Sequence, residues 1–143
     1  MDGSRNAARA ASIAIAYAKR FGAELIALHV IVIPAQTLAE VEGGIGRFES
    51  SAMHEYLASA RQKAQSILDE VVTSGEREGV KAIGLLHDKS FSVVETILDQ
   101  AVANNVDLII IGTRGLTGFK KLLIGSVSSA VVSHAHCAVL VVR

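Results

Sequence analysis

Apolar positions follow two different spacings along the chain. Residues 5–21 repeat Ala and Ile at intervals of three and four, which predicts an amphipathic helix that ends at Gly22. Residues 24–33 form an almost unbroken apolar run, which is typical of a strand buried on both faces of a parallel sheet. Residues 53–71 return to the helical spacing, and Gly75 and Gly79 are expected to close that helix.

The second half of the chain repeats this alternation. The apolar run 80–86 predicts a strand, and Ser92 with Glu95 forms a capping box ahead of a third helix. A strand over 106–111, a helix over 126–135 and a strand over 137–142 follow. Because strands alternate with helices, we expect right-handed parallel βαβ units. The predicted fold class is α/β, a three-layer α/β/α sandwich with a parallel, doubly wound sheet.

Composition narrows the class of protein. The 143 residues are predicted to form one domain, 1–143. Fourteen Lys and Arg balance fourteen Asp and Glu, which favours neither a nucleic acid nor a membrane surface as partner. The longest apolar run falls well short of the ~20 residues of a membrane span, and no secretory signal opens the chain. Cys137 has no second cysteine to pair with. We therefore expect a cytoplasmic protein.

Candidate chemistry lies in a glycine-rich segment that follows the strand predicted over 106–111. The segment begins Gly112-Thr113-Arg114-Gly115, and Gly125-Ser126 comes after nine further residues, at the start of a predicted helix. Glycine lets the backbone approach an anion closely, and the first N–H groups of a helix have no internal partner. The helix dipole adds to their attraction for a negative charge. The segment therefore predicts nucleotide or phosphate binding, although strand-to-helix glycines are also common as plain turn residues.

The spacing G-x2-G-x9-G-S/T resembles the ATP-binding subgroup of the universal stress protein family. Other segments match the family in the same order: 2–4, 24–30, 106–112 and 136–142. The resemblance covers the whole chain apart from a variable middle loop. It implies binding of ATP, or of AMP or ADP, together with Mg2+. It also implies a homodimer formed through the C-terminal strand, and protein partners that the sequence does not identify.

The resemblance also implies a role for each candidate residue. Four residues wrap the ribose and the first phosphates, namely Gly112, Thr113, Arg114 and Gly115. Amides and hydroxyls for the more distal phosphates come from Gly125, Ser126, Val127 and Ser128. The backbone of Val30 reads the adenine edge, and Asp2 lies under the ribose near the metal and phosphates. An alternative for Asp2 is an N-cap or Asx turn ahead of the first helix, and Arg114 could be a solvated loop charge.

Signatures of several enzyme classes are absent from the sequence. It contains no Walker A lysine motif of a P-loop NTPase. It also lacks the G-x-G-x-x-G of a dinucleotide site at the end of the first strand, and the G-x-S-x-G nucleophile elbow. It offers no water-positioning base beside the phosphates, so efficient hydrolysis is not predicted. His29 is expected to be a hydrogen-bonded core or strand-end residue and not a catalyst, and no metal site is predicted. We expect a nucleotide-dependent stress-response or signalling module. The alternatives are a slow ATPase or related enzyme, and a structural dimer that has lost its ligand.

The resemblance implies a strand ahead of the first helix, and the sequence has no apolar run there that would form it. The chain opens at Met1-Asp2, on the residue that the resemblance places at the end of that strand. By the resemblance, the strand belongs in the middle of the sheet, where neighbouring strands lie about 4.8 Å apart, so small shifts cannot close the gap. We expect a biological chain that starts further upstream, with a rearranged sheet as the alternative.

Overall fold

The computed structural model describes residues 1–32, 51–113 and 124–143, except for the side chains of residues 51–53 and 89. Helices and strands alternate along it as the sequence predicts. In chain order they are α1 (Arg5–Phe21), β1 (Leu25–Val32), α2 (Ser51–Arg77), β2 (Ala82–Ser90), α3 (Val93–Ala103), β3 (Leu108–Gly112), α4 (Ser126–His134) and β4 (Ala138–Val142). The predicted middle loop over 34–51 lies almost wholly outside the described residues.

All strand pairs among the described residues are parallel. β1 pairs with β2 from Leu25 opposite Ala82, with a bulge or irregularity after Val30, and β3 pairs with β4 from Leu108 opposite Ala138. These pairs are two separate two-stranded sheets in the described part of the chain. Among the described residues, β1 and β3 therefore each have a strand partner on one side only. The amino group of Met1 lies beside β1, where it donates a hydrogen bond to the carbonyl of Leu28.

Helices connect the two sheets and cover them. α1 packs on β3 and also contacts β1 and β4, while α2 packs on β2 and β1. α3 contacts β1, β2 and α4. Aliphatic side chains make the core where α1 and α2 meet the first sheet: Ala11, Ala27, Leu68 and Val71 in one cluster, Ile15, Ala18 and Val80 in another. In the described ranges, no helix is long and apolar enough to cross a membrane.

Local signals explain where α1 begins and ends. The hydroxyl of Ser4 accepts a hydrogen bond from the N–H of Ala7 at 3.1 Å, which satisfies one of the unpaired amides of the first turn. At the other end Gly22 adopts φ +65°, a left-handed conformation that glycine takes without a steric penalty. The predicted stop at Gly22 is confirmed.

Candidate functional site

The candidate site lies where the strands reach their carboxyl ends. β3 ends at Gly112, and α4 begins at Ser126 with Gly125 as its N-cap residue. The N-terminal turn of α1 also reaches this edge, because Asn6 packs directly against Gly112. In parallel α/β sheets, ligands bind outside the carboxyl ends of the strands. The fold thus brings the starts of α1 and α4 to the edge where a ligand is expected.

Three hydrogen bonds join β3, β4 and the first turn of α4. The N–H of Thr113 donates to the carbonyl of Val142 at 2.7 Å, and the N–H of Gly125 donates to the carbonyl of Thr113 at 2.6 Å. The hydroxyl of Ser128 donates to the carbonyl of Gly112 at 2.6 Å. Thr113 and Ser128 are both buried. The two halves of the glycine motif are therefore in direct contact through the backbone.

The first turn of α4 differs from those of α1 and α3. Ser4 and Ser92 cap those two helices with a side-chain oxygen, whereas Gly125 gives α4 no side-chain cap. The first amides of any helix lack an intrahelical acceptor. In the described residues the N–H groups of Ser126, Val127 and Ser128 have no hydrogen-bond acceptor. With the exposed Ser126 side chain beside them, these amides form a turn that can bind an anion.

The predicted phosphate donors divide into two groups. The amides of Thr113 and Gly125 and the hydroxyl of Ser128 donate within the protein, so their hydrogens are already used. Within the described ranges, the amides of Ser126, Val127 and Ser128 remain for a ligand. Spacing alone could not separate these groups, because the acceptors are carbonyls brought close only by the fold.

Gly112 has a packing role that sequence reasoning missed. A Cβ on this residue would lie 2.9 Å from the carbonyl carbon and oxygen of Asn6. Backbone atoms cannot move aside as a flexible side chain does, so α1 could not approach β3 this closely with any other residue at this position. The absence of a side chain at Gly112 therefore places the N-terminal turn of α1 at the candidate site.

Asp2 lies immediately ahead of α1. Its carboxylate accepts a hydrogen bond from the N–H of Ser4 at 2.9 Å, which makes the Asx turn considered as the alternative for this residue. Ser4, not Asp2, caps the helix. The Asx turn holds the Asp2 carboxylate close to the start of α1, and this local role is compatible with a ligand nearby.

Val30 and His29 belong to β1. Val30 lies opposite His87 of β2, and the ladder becomes irregular directly after it. The Nδ1 atom of His29 is buried and has no hydrogen-bond partner in the described ranges, so the expected hydrogen bond is not found there. Burial lowers the pKa of His29, and the nearby Met1 amino group lowers that pKa further. His29 therefore favours its neutral form.

The remaining predicted residues are placed as follows. Arg114 and Gly115 lie outside the described residues. Val30 lies in the other two-stranded sheet from Gly112 and the α4 turn. Over the ranges 1–32, 51–113 and 124–143, no group of three His, Cys, Asp or Glu side chains could hold a metal ion.

A cavity of about 760 Å³ opens elsewhere, between the C-terminal turns of α1 and α2. Its polar lining includes the exposed ion pair between Lys19 and Glu78, at 2.7 Å, in which Lys19 lowers the pKa of Glu78. None of the predicted site residues lines it. We assign no function to this cavity, because its charged groups face solvent.

Comparison with known proteins gives a consistent result. The Universal stress protein family model matches residues 1–143. Universal stress protein MJ0531 from Methanocaldococcus jannaschii is 34% identical over 144 residues, which cover 99% of this chain and 78% of that protein. The solved structure of the universal stress protein UspA from Lactobacillus plantarum has a TM-score of 0.71 and 26% identity, covering 100% of this chain and 93% of its own.

A third comparison concerns a structure with a ligand. The universal stress protein from Archaeoglobus fulgidus, solved in complex with dAMP, has a TM-score of 0.66 and 20% identity. The match covers 100% of this chain and 92% of the Archaeoglobus chain. This likeness shows a shared fold, and the predicted α/β class is confirmed.

Proposed function

Because the chain belongs to the universal stress protein family, we propose that it binds an adenine nucleotide at the carboxyl edge of β1 and β3. The observation that carries the proposal is the uncapped first turn of α4, whose three amides face no acceptor within the described protein. The dAMP complex of the Archaeoglobus protein supports the choice of an adenine nucleotide. The ligand we propose is ATP. ADP and AMP are alternatives of the same class that carry less negative charge.

The proposed binding mode assigns different parts of the nucleotide to different elements. The amides of Ser126, Val127 and Ser128 bind the distal phosphates through charge-assisted hydrogen bonds, strengthened by the α4 dipole. Gly112 and Thr113, with Arg114 and Gly115, surround the ribose and first phosphates. The backbone of Val30 faces the adenine and Asp2 the ribose. This arrangement binds and orients a nucleotide and assigns no residue to the activation of water.

Magnesium enters this proposal with the nucleotide. Mg2+ in nucleotide sites is usually held by phosphate oxygens, waters and only one or two protein carboxylates. Asp2 is the carboxylate that the family resemblance puts near the phosphates, and one of its oxygens already accepts a hydrogen bond from the N–H of Ser4. We therefore propose that the phosphates supply most of the magnesium ligands.

Signalling follows from differential binding. A nucleotide that binds one arrangement of the site more tightly than another shifts the protein towards that arrangement. A protein partner that contacts the same surface then responds to the nucleotide, with a coupling free energy that acts in both directions. We propose that this module acts as one domain over residues 1–143 in the cytoplasm, and that it reports nucleotide state to protein partners.

The start of α4 provides the direct test. We expect saturating ATP, at 100 times Kd, to raise the unfolding free energy of the wild-type protein by roughly 2.7 kcal/mol. The Gly125→Val variant should lose this stabilisation, because its isopropyl group lies at the start of α4, where the phosphates approach the free amides. Gly125 has φ −71° and ψ 160°, which valine adopts readily, so the unliganded fold should persist. Thermal unfolding with and without ATP measures both effects.

The matched control for this test is Val132→Ala. Val132 lies on the same helix but is 49% exposed and remote from the first turn. It should keep the ATP-induced stabilisation in full. An ATP shift of equal size in Gly125→Val would contradict the assignment of the phosphates to the start of α4.

We also propose a homodimer formed through β4. β4 pairs with β3 on one side, and its other edge has no strand partner in the described chain. The side chains of Val139, Leu140 and Val141 are half-buried within one protomer. Exposed apolar edges pair readily with another strand, and an antiparallel pairing of two β4 strands satisfies both edges.

Placing a charge on this edge should weaken the dimer. We expect Val141→Lys to shift the protein towards the monomer in sedimentation velocity experiments, since a lysine at the interface must lose hydration on association. Val132→Lys is the control, because it places the same charge on the outer face of α4. A dimer that Val141→Lys leaves intact would indicate another interface.

A further inference from the structure

Two carbonyl groups at the end of β3 lie against the first turn of α4. A carbonyl oxygen carries partial negative charge, so a carbonyl turned towards a phosphate weakens its binding. In this protein both oxygens are engaged by α4: that of Thr113 accepts from the N–H of Gly125, and that of Gly112 accepts from the hydroxyl of Ser128, each at 2.6 Å. The helix that presents the free amides thus also holds the two carbonyls.

Ser128 is well placed for this role. Its side chain is buried, with 4% of the residue exposed, and its bond joins two residues 16 apart in sequence. A serine hydroxyl has one hydrogen, so Ser128 cannot donate to Gly112 and to a phosphate at the same time. While it donates to Gly112, its hydroxyl acts on a ligand through Gly112 and not by donating to it.

We propose that Ser128 is a positioning residue that fixes the end of β3 against the first turn of α4 before the nucleotide arrives. This inference rests on the proposed nucleotide site and deepens it. The hydroxyl keeps the Gly112 carbonyl turned away from the phosphates and sets the distance between the strand end and the free amides. Binding then requires less ordering, which increases affinity. The gain is confined to the phosphate part of the ligand.

The test compares ATP with adenosine, which has the same base and sugar but no phosphate. Isothermal titration of the wild type and of Ser128→Ala should show ATP affinity reduced about tenfold in the variant, equivalent to one hydrogen bond, with adenosine affinity unchanged. Ser128→Thr keeps the hydroxyl and should restore most of the ATP affinity. Ser129→Ala makes the same change at the next, exposed residue and should bind both ligands like the wild type.

Each other outcome contradicts the inference in a distinguishable way. An equal loss of affinity for ATP and for adenosine in Ser128→Ala would indicate a purely structural role, because a smaller folded fraction lowers the apparent affinity for every ligand alike. Unchanged ATP affinity in that variant would exclude the positioning role while leaving the nucleotide site intact. A wild-type protein that binds neither ligand would overturn the proposed function as well. Should Ser128→Ala fail to fold, Ser128→Cys replaces it, because a thiol is a weaker hydrogen-bond donor than a hydroxyl. Ser128→Cys should reduce the affinity for ATP and leave the affinity for adenosine unchanged.

Discussion

An extended segment of about five β-branched residues placed ahead of Asp2 is expected to raise the unfolding free energy by several kcal/mol. In the part of the chain that the structure describes, β1 and β3 each have a strand partner on one side only, and α1 contacts both of them. A strand between β1 and β3 would join the two sheets and form hydrogen bonds on both of its sides, each worth on the order of 1 kcal/mol net. The Met1 amino group, which already donates to Leu28, marks where such a strand would end.

Urea unfolding of the extended and original proteins measures this effect. The extended protein should also show a larger m-value, because more surface is buried in its folded state. Five residues of Gly and Ser at the same place are the matched control and should change little, since they add length without β-propensity. We also expect tighter ATP binding, because the proposed nucleotide site would lie at the end of the added strand. Equal stability of the extended and original proteins would show that the two sheets need no strand between them.

The fold class was predictable because the spacing of apolar residues reports which elements bury one face and which bury two. The run at 24–33 became β1 (Leu25–Val32) almost unchanged. β2 was predicted too short: it continues from the apolar Leu86 to Ser90. Its last residues are polar, and Arg61 of α2 forms an ion pair with Asp88 at 2.5 Å. Hydropathy alone does not report such pairing.

Helix ends were predictable only where a glycine adopts a left-handed backbone conformation just beyond the helix. Gly79 has φ +75° and follows the end of α2 by two residues, as a helix stop should. Gly75 was also expected to close α2, but it lies inside that helix. A Cβ on Gly75 would lie 3.0 Å from the Cβ of Ala82, so this glycine allows α2 to pack closely on β2. The sequence does not distinguish a glycine needed for a turn from one needed for packing.

The same distinction governs the candidate site. The motif predicted that Gly112, Thr113 and Gly125 lie close together. The N–H of Gly125 donates a hydrogen bond to the carbonyl of Thr113, the residue after Gly112, so the three residues are neighbours in the fold. It could not predict which donors are used within the protein, because the acceptors of Ser128 and Thr113 are defined by tertiary contacts. A family spacing thus identifies the candidate residues, and the structure divides them into those that can contact a ligand and those that hold the site in shape.

Gly112→Ala should have the second large effect. The added methyl would lie 2.9 Å from backbone atoms of Asn6, so α1 must move away from β3. Overpacking of this kind costs about 2 kcal/mol in unfolding free energy. The displacement also carries the Asx turn of Asp2 away from the strand end, so ATP affinity should fall in the folded variant. Urea unfolding and ATP titration measure the two effects separately.

Gly84→Ala is the matched control for this substitution. It makes the same change within a strand, but the added methyl meets the Cβ of Leu68 at 3.1 Å instead of the backbone of Asn6 at 2.9 Å. A shift of α2 by a few tenths of an ångström relieves this looser contact, and alanine reduces the entropy of the unfolded chain, so Gly84→Ala should cost less unfolding free energy than Gly112→Ala. If the two variants lose equal stability, the contact with Asn6 is no tighter than the contact with Leu68, and Gly112 is not what fixes α1 at the site.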